Sequence, residues 1–116
     1  MNKILLILST VIILIVLHYY YNQKVKIIYF YDRTCVISNI TEGLINNTRS
    51  DFGKRVEIIE IDAFKPKQNE AKLVEKFNVK GVPLIIIDGR VYPYEYNYTL
   101  FKIEVCKRFV FKPKEC

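Results

Sequence analysis

Residues 25–38, Val-Lys-Ile-Ile-Tyr-Phe-Tyr-Asp-Arg-Thr-Cys-Val-Ile-Ser, limit what this chain can fold into more than any other stretch. They read as a β-branched and aromatic strand (Val25–Tyr31), a short polar turn (32–34), one cysteine, and then the start of a helical pattern. A thiol in that place stands at a helix N-terminus. Unpaired N–H groups and the positive end of the helix dipole favour the thiolate there. The thiolate is the reactive form of cysteine, so Cys35 is the candidate nucleophile.

Ahead of this stretch lies a segment of a different kind. Residues 4–17 are almost wholly aliphatic, interrupted only by Ser9 and Thr10. Together with His18 and Tyr19, Tyr20 and Tyr21 they approach the length that spans a bilayer, and the tyrosines suit a headgroup-level aromatic belt. No small-x-small cleavage site follows, so residues 1–21 read as an uncleaved, single-pass signal-anchor; a removed signal peptide is the alternative. Residues 22–24 form a linker, 25–111 a domain, and 112–116 a tail. About ninety residues outside the membrane can bury one modest core.

Orientation is argued both ways. Lys24 and Lys26 on the domain side outnumber Lys3, which slightly favours a cytoplasmic domain. The short, lightly charged N-terminus and the Asn-x-Thr sequons at Asn39, Asn46 and Asn97 argue for export, and a cell-membrane protein with an extracytoplasmic domain is the preferred reading. The net charge of +6 comes from scattered basic residues mixed with acids, which reads as a solvated surface. Attraction of Lys24 and Lys26 to anionic headgroups is the next option. No stripe of basic residues interleaved with aromatics argues for nucleic acid.

Along the domain, Ile37, Ile40, Thr41, Leu44, Thr48 and Phe52 recur at helical spacing and predict a helix over Val36–Phe52 with that side inward. Gly53 is placed to cap it. Val56–Asp62 is a second strand. Pro66 opens a short helix to Asn78 that buries Leu73, Val74 and Phe77, and Leu84–Ile87 is an apolar central strand. Asp88-Gly89 signals a hairpin into a strand over 91–94, and Asn97 or Thr99 caps a last helix to about Val110.

At these residues the chain resembles the thioredoxin–glutaredoxin superfamily. Cys35-Val36-Ile37-Ser38 stands where that family carries Cys-x-x-Cys, and Gly81-Val82-Pro83 before Leu84–Ile87 looks like its cis-proline segment. The resemblance covers roughly residues 25–110. It implies an α/β fold: a compact thioredoxin-like β-α-β-α-β-β-α core, here preceded by one transmembrane helix. It also implies that Cys35, Ser38 and Pro83 form the catalytic site, that Pro83 lies beside Cys35, and that Val82 offers its backbone to an extended substrate strand. Ser38 cannot resolve a mixed disulfide as the family's second cysteine does, but it can donate a hydrogen bond to the Cys35 sulfur. Tyr29 takes the place of the buried acid of thioredoxins, and Thr34 that of their tryptophan.

Two functions follow. One is thiol–disulfide exchange, reduction or isomerisation, through Cys35 alone, with protein thiols or disulfides as clients and an unidentified thiol donor resolving the intermediate. The other is a non-catalytic module that docks clients near the membrane. Cys106 is either a small buried residue or, in an oxidising space, the partner of Cys116. Three distant cysteines and one histidine make no metal site, and the Cys-Gly-Phe-Ser motif of iron–sulfur glutaredoxins has no match, so no cofactor is expected.

Overall fold

The computed structural model describes residues 2–34 and 36–116. Helix α1 (Asn2–Tyr21) leads, followed by β1 (Val25–Tyr31), α2 (Val36–Phe52), a 3-10 turn (Gly53–Arg55) and β2 (Val56–Asp62). Then come α3 (Gln68–Lys76), β3 (Leu84–Ile87), β4 (Arg90–Val91) and α4 (Tyr98–Lys107).

The four strands form one sheet in the order β2-β1-β3-β4. Strand β1 runs parallel to β2 and antiparallel to β3. The β1–α2–β2 crossover needs the length of a helix, whereas β3 and β4 join through a tight turn. Asp88 and Gly89 both take positive φ (46° and 81°), the backbone of a two-residue hairpin turn that matches strand twist.

Because strand side chains alternate, the sheet has two apolar faces. Val25, Ile27 and Tyr29 of β1 and Ile85 and Ile87 of β3 pack against Leu44, Ile45 and Phe52 of α2 and Phe101 and Val105 of α4. Ile28, Phe30, Ile61 and Ile86 pack against Leu73 and Val74 of α3 and Phe77 just after it. Helices on both faces explain why β1 and β3 read as continuous apolar runs.

Three expectations are corrected. Helix α2 turns Ser38, Thr41, Leu44, Ile45, Thr48 and Phe52 inward, while Ile37 and Ile40 are 50% and 60% exposed. The heptad-like stripe starting at Ser38 is as periodic as the one starting at Ile37, and the Tyr29 hydroxyl beneath it bonds the Ser38 carbonyl and the Thr41 hydroxyl. Strand β4 stops at Val91 rather than 94: Tyr92 still donates its N–H to the Ile85 carbonyl (2.8 Å), but Pro93 has no N–H to extend the ladder. Helix α4 ends at Lys107, because Phe109 turns to stack on Phe52 at 6.0 Å.

Helix α1 buries no residue against the domain and is long and apolar enough to cross a membrane, by length and composition. The segment after it is fastened through Gln23. The Gln23 side chain donates to the Arg108 carbonyl (2.8 Å) and accepts from the Val110 N–H (3.0 Å), and Arg55 donates to the Gln23 carbonyl (3.2 Å). The α1 end of the domain is therefore built from the start of β1, the turn before β2 and the chain leaving α4.

Candidate functional site

At the other end of the sheet, β1 delivers the chain into a turn made by Asp32. Its carboxylate accepts from the Thr34 N–H (3.1 Å) and the Thr34 hydroxyl (2.8 Å). Helix α2 then starts at Val36. Cys35, the centre of the expected site, lies outside the described residues, and so does its expected contact with Pro83.

The Val82–Pro83 bond is cis. Leu84 pairs with Phe30, so Pro83 sits at the sheet end where β1 meets the turn, on the same side of the domain as the start of α2. The Pro83 carbonyl accepts from the Tyr96 hydroxyl (2.9 Å). Val82 packs partly buried on the core facing α3.

Ser38 is only 5% exposed, and its hydroxyl has no hydrogen-bond partner among the described residues. Its carbonyl, by contrast, accepts from the Tyr29 hydroxyl (3.0 Å) and the Thr41 hydroxyl (2.9 Å), which lie 2.7 Å from each other. Tyr29 thus reaches from the middle of the sheet to the first turn of α2 and satisfies its phenol there. Burial pushes the Tyr29 phenol above its ordinary value of 10.0; the bonds to Thr41 and Ser38 oppose this, and the negative charges of Glu42 and Glu60 add to it.

These groups border a polar cavity of about 380 Å³, lined by Tyr29, Arg33, Ser38, Asn39, Glu42 and Glu60 among others. Glu60 stands beside Tyr29 in the β1–β2 register and is held by Arg49 of α2 at 3.6 Å. Neither glutamate was singled out from the sequence. The parallel pairing of β1 and β2 was the signal that could have found Glu60, since Tyr29 and Glu60 fall in register only once it is assumed. The exposed apolar surface next to the site was missed as well. Val36, Ile37 and Ile40 are 77%, 50% and 60% exposed on the first turns of α2.

The remaining candidates lie elsewhere. Asn39 and Asn46 are exposed, while the threonines of their sequons, Thr41 and Thr48, are buried. The Asn97 side chain caps α4, accepting from the Thr99 N–H at 2.8 Å. Cys106 and Cys116 are joined by a disulfide with Cα atoms 5.8 Å apart, which ties the tail to α4. Among the described residues no three metal-ligating side chains cluster.

No family model matches the chain, and no curated protein does. Solved structures do. A mutant thioredoxin from Halobacterium salinarum aligns with a TM-score of 0.60 at 16% identity, covering 79% of this chain and 80% of that one. The thioredoxin of Fasciola hepatica aligns at 0.55 and 15% identity, over 75% and 84% of the two chains. Thioredoxin-2 of the malaria parasite, described as a component of its protein secretion machinery, aligns at 0.52 and 21%, over 69% and 82%. The described chain has a thioredoxin-like fold preceded by one apolar helix.

Proposed function

We propose that this chain is a membrane-anchored, single-pass thiol–disulfide exchange protein that works through Cys35 alone. The observation that carries the proposal is the buried Ser38 hydroxyl. It has no partner among the described residues and stands three positions after Cys35, on the first turn of α2. A buried hydroxyl left without an acceptor is costly, and a thiolate at the helix start is the acceptor that chain order offers.

The chemistry is a pair of exchanges. The Cys35 thiolate attacks one sulfur of a client disulfide; that S–S bond breaks, a Cys35–client disulfide forms, and the other client sulfur leaves as a thiolate. A second thiolate then attacks the mixed disulfide and restores the Cys35 thiolate. In isomerisation the attacking group is another client thiol, and in reduction it is an external thiol donor. With Ser38 in place of a second cysteine, the chain itself supplies no resolving thiol. Val82, next to Pro83 at this end of the sheet, is the residue proposed to pair with an extended client. The Cys106–Cys116 bond supports a domain on the oxidising, extracytoplasmic side, since such bonds persist there.

Acid-quenched pull-down from intact cells tests this. The native chain is expected to carry trapped client disulfides that reducing agent releases, and Cys35→Ala none. A Cys35 thiol that titrates near 8.5 and traps nothing defeats the proposal. The second reading, a module that docks clients without exchange chemistry, rests on the exposed Val36, Ile37 and Ile40. In that case the same clients bind the Cys35→Ala chain without a covalent link.

A further inference from the structure

The junction between α1 and the domain carries a cavity that thiol chemistry does not use. It measures about 410 Å³ and is lined by Tyr21 at the end of α1, Arg55 of the 3-10 turn, and Phe111, Lys112, Lys114 and Glu115 of the tail. Three cations there face one carboxylate. Arg55 is held in place: its guanidinium lies 5.0 Å above the Phe109 ring and its Nε donates to the Gln23 carbonyl. Yet its Nη2 is buried with no partner among the described residues. A buried charged donor left unsatisfied calls for an acceptor, and a guanidinium suits phosphate oxygens best.

A second hollow adjoins the first. It is an apolar groove of about 510 Å³ lined by Leu14, Leu17, His18, Tyr21 and Phe111. Tyr21 and Phe111 border both. From Leu14 to Tyr21 the groove runs about 10 Å along the helix, at 1.5 Å per residue. A cationic chamber at the tyrosine end of an apolar helix, opening onto a greasy groove along that helix, has the polarity profile of a phospholipid. The tail cations are pinned on both sides, by the Val110 N–H on Gln23 and by the Cys116–Cys106 bond.

We infer that this junction binds an anionic phospholipid of the membrane, its phosphate on Arg55, Lys112 and Lys114 and one acyl chain along Leu14, Leu17 and Phe111. The inference rests on the reading of α1 as a membrane helix, and it would lock the domain to the leaflet surface at a set height. Basic pockets at the membrane surface hold headgroups in this way.

The test uses the full chain reconstituted in vesicles of phosphatidylcholine, with or without phosphatidylglycerol. Flotation reports membrane insertion, and mass spectrometry of the detergent-released protein reports retained lipid. The native chain is expected to float with both vesicles and to retain phosphatidylglycerol. The double variant Lys112→Gln/Lys114→Gln is expected to float equally and to retain about tenfold less of it. Lys72→Gln/Lys76→Gln on α3, with the same change in charge, is expected to behave as native. Both lysines of the tail are exposed, so the variant folds; Arg55→Lys, which keeps the charge and loses the fork, is expected to fall between. A chain that floats but retains no phosphatidylglycerol, or retains it equally in both lysine variants, overturns the inference alone. Displacement of the lipid by inorganic phosphate marks a free-anion site and overturns it too. A chain that floats with neither vesicle overturns the membrane reading and this inference together.

Discussion

A hydroxyl sealed inside a small domain is expensive to keep unless it is hydrogen-bonded, and the Ser38 hydroxyl has no partner among the described residues. If it serves the Cys35 sulfur, it favours the thiolate over the thiol. Ser38→Ala is then expected to raise the Cys35 pKa by about one unit, since one hydrogen bond to the charged form is worth about 1.4 kcal/mol. The pH dependence of alkylation by iodoacetamide measures it, and an unchanged profile assigns Ser38 to packing. Tyr29 beneath it makes a different prediction. Its phenol donates to the Ser38 backbone carbonyl and lies against the Thr41 hydroxyl within the core, so Tyr29→Phe is expected to cost about 1 kcal/mol in a urea melt. The pH dependence carries a sign. Burial raises the folded pKa above 10.0, so the unfolded tyrosine loses its proton first as pH climbs. The stability this phenol contributes is whole below pH 10 and falls away above it. Tyr92, Tyr96 and Tyr98 are raised by burial as well, so the native chain loses stability steeply in alkali and Tyr29→Phe less steeply.

At the scale of elements, the first three strands, both limits of α2 and the start of α4 were legible because each has a local cause. Val25–Tyr31 and Val56–Asp62 carry the β-branched runs, Gly53 sits at positive φ (52°) where α2 ends, and Asn97 caps α4. Removing that cap by Asn97→Ala is expected to cost about 1 kcal/mol and to lower the urea midpoint with little change in slope. What was not legible depended on distant partners. Whether α2 buries the stripe of Ile37 or that of Ser38 is decided by Tyr29 on the sheet, and periodicity cannot see it. The exposed face of α4 follows the same rule: Phe101 and Val105 turn inward, and Leu100 and Ile103 stay exposed. The cation chamber at Arg55 joins residues from α1, the 3-10 turn and the tail, which no local window contains.

For the whole molecule, the arrangement of ends sets what the domain can reach. Gln23, Arg55 and Val110 meet at the α1 end, whereas Tyr31, Ala63 and Pro83 lie at the other, with the Ala63 N–H on the Tyr31 carbonyl at 3.0 Å. Seven residues of β1 at about 3.3 Å each separate the two ends by about 20 Å. If α1 spans a bilayer and the lipid site holds the tail on its surface, the turn before α2 points away from the membrane, toward soluble or extended clients. The chain contains no tryptophan, so a single introduced one reports its own depth. Phe111 borders the groove on α1, and Phe64, exposed in the loop after β2, lies at the far end. In vesicles containing lipids brominated high on the acyl chain, Phe111→Trp fluorescence is expected to be strongly quenched and Phe64→Trp fluorescence left nearly unchanged. Bromine quenches only near contact, and about 20 Å puts the second probe in water. Equal quenching of the two would mean that the sheet lies flat on the bilayer and presents the cysteine turn to the headgroups. A membrane-embedded redox partner would then replace the soluble client as the substrate to look for.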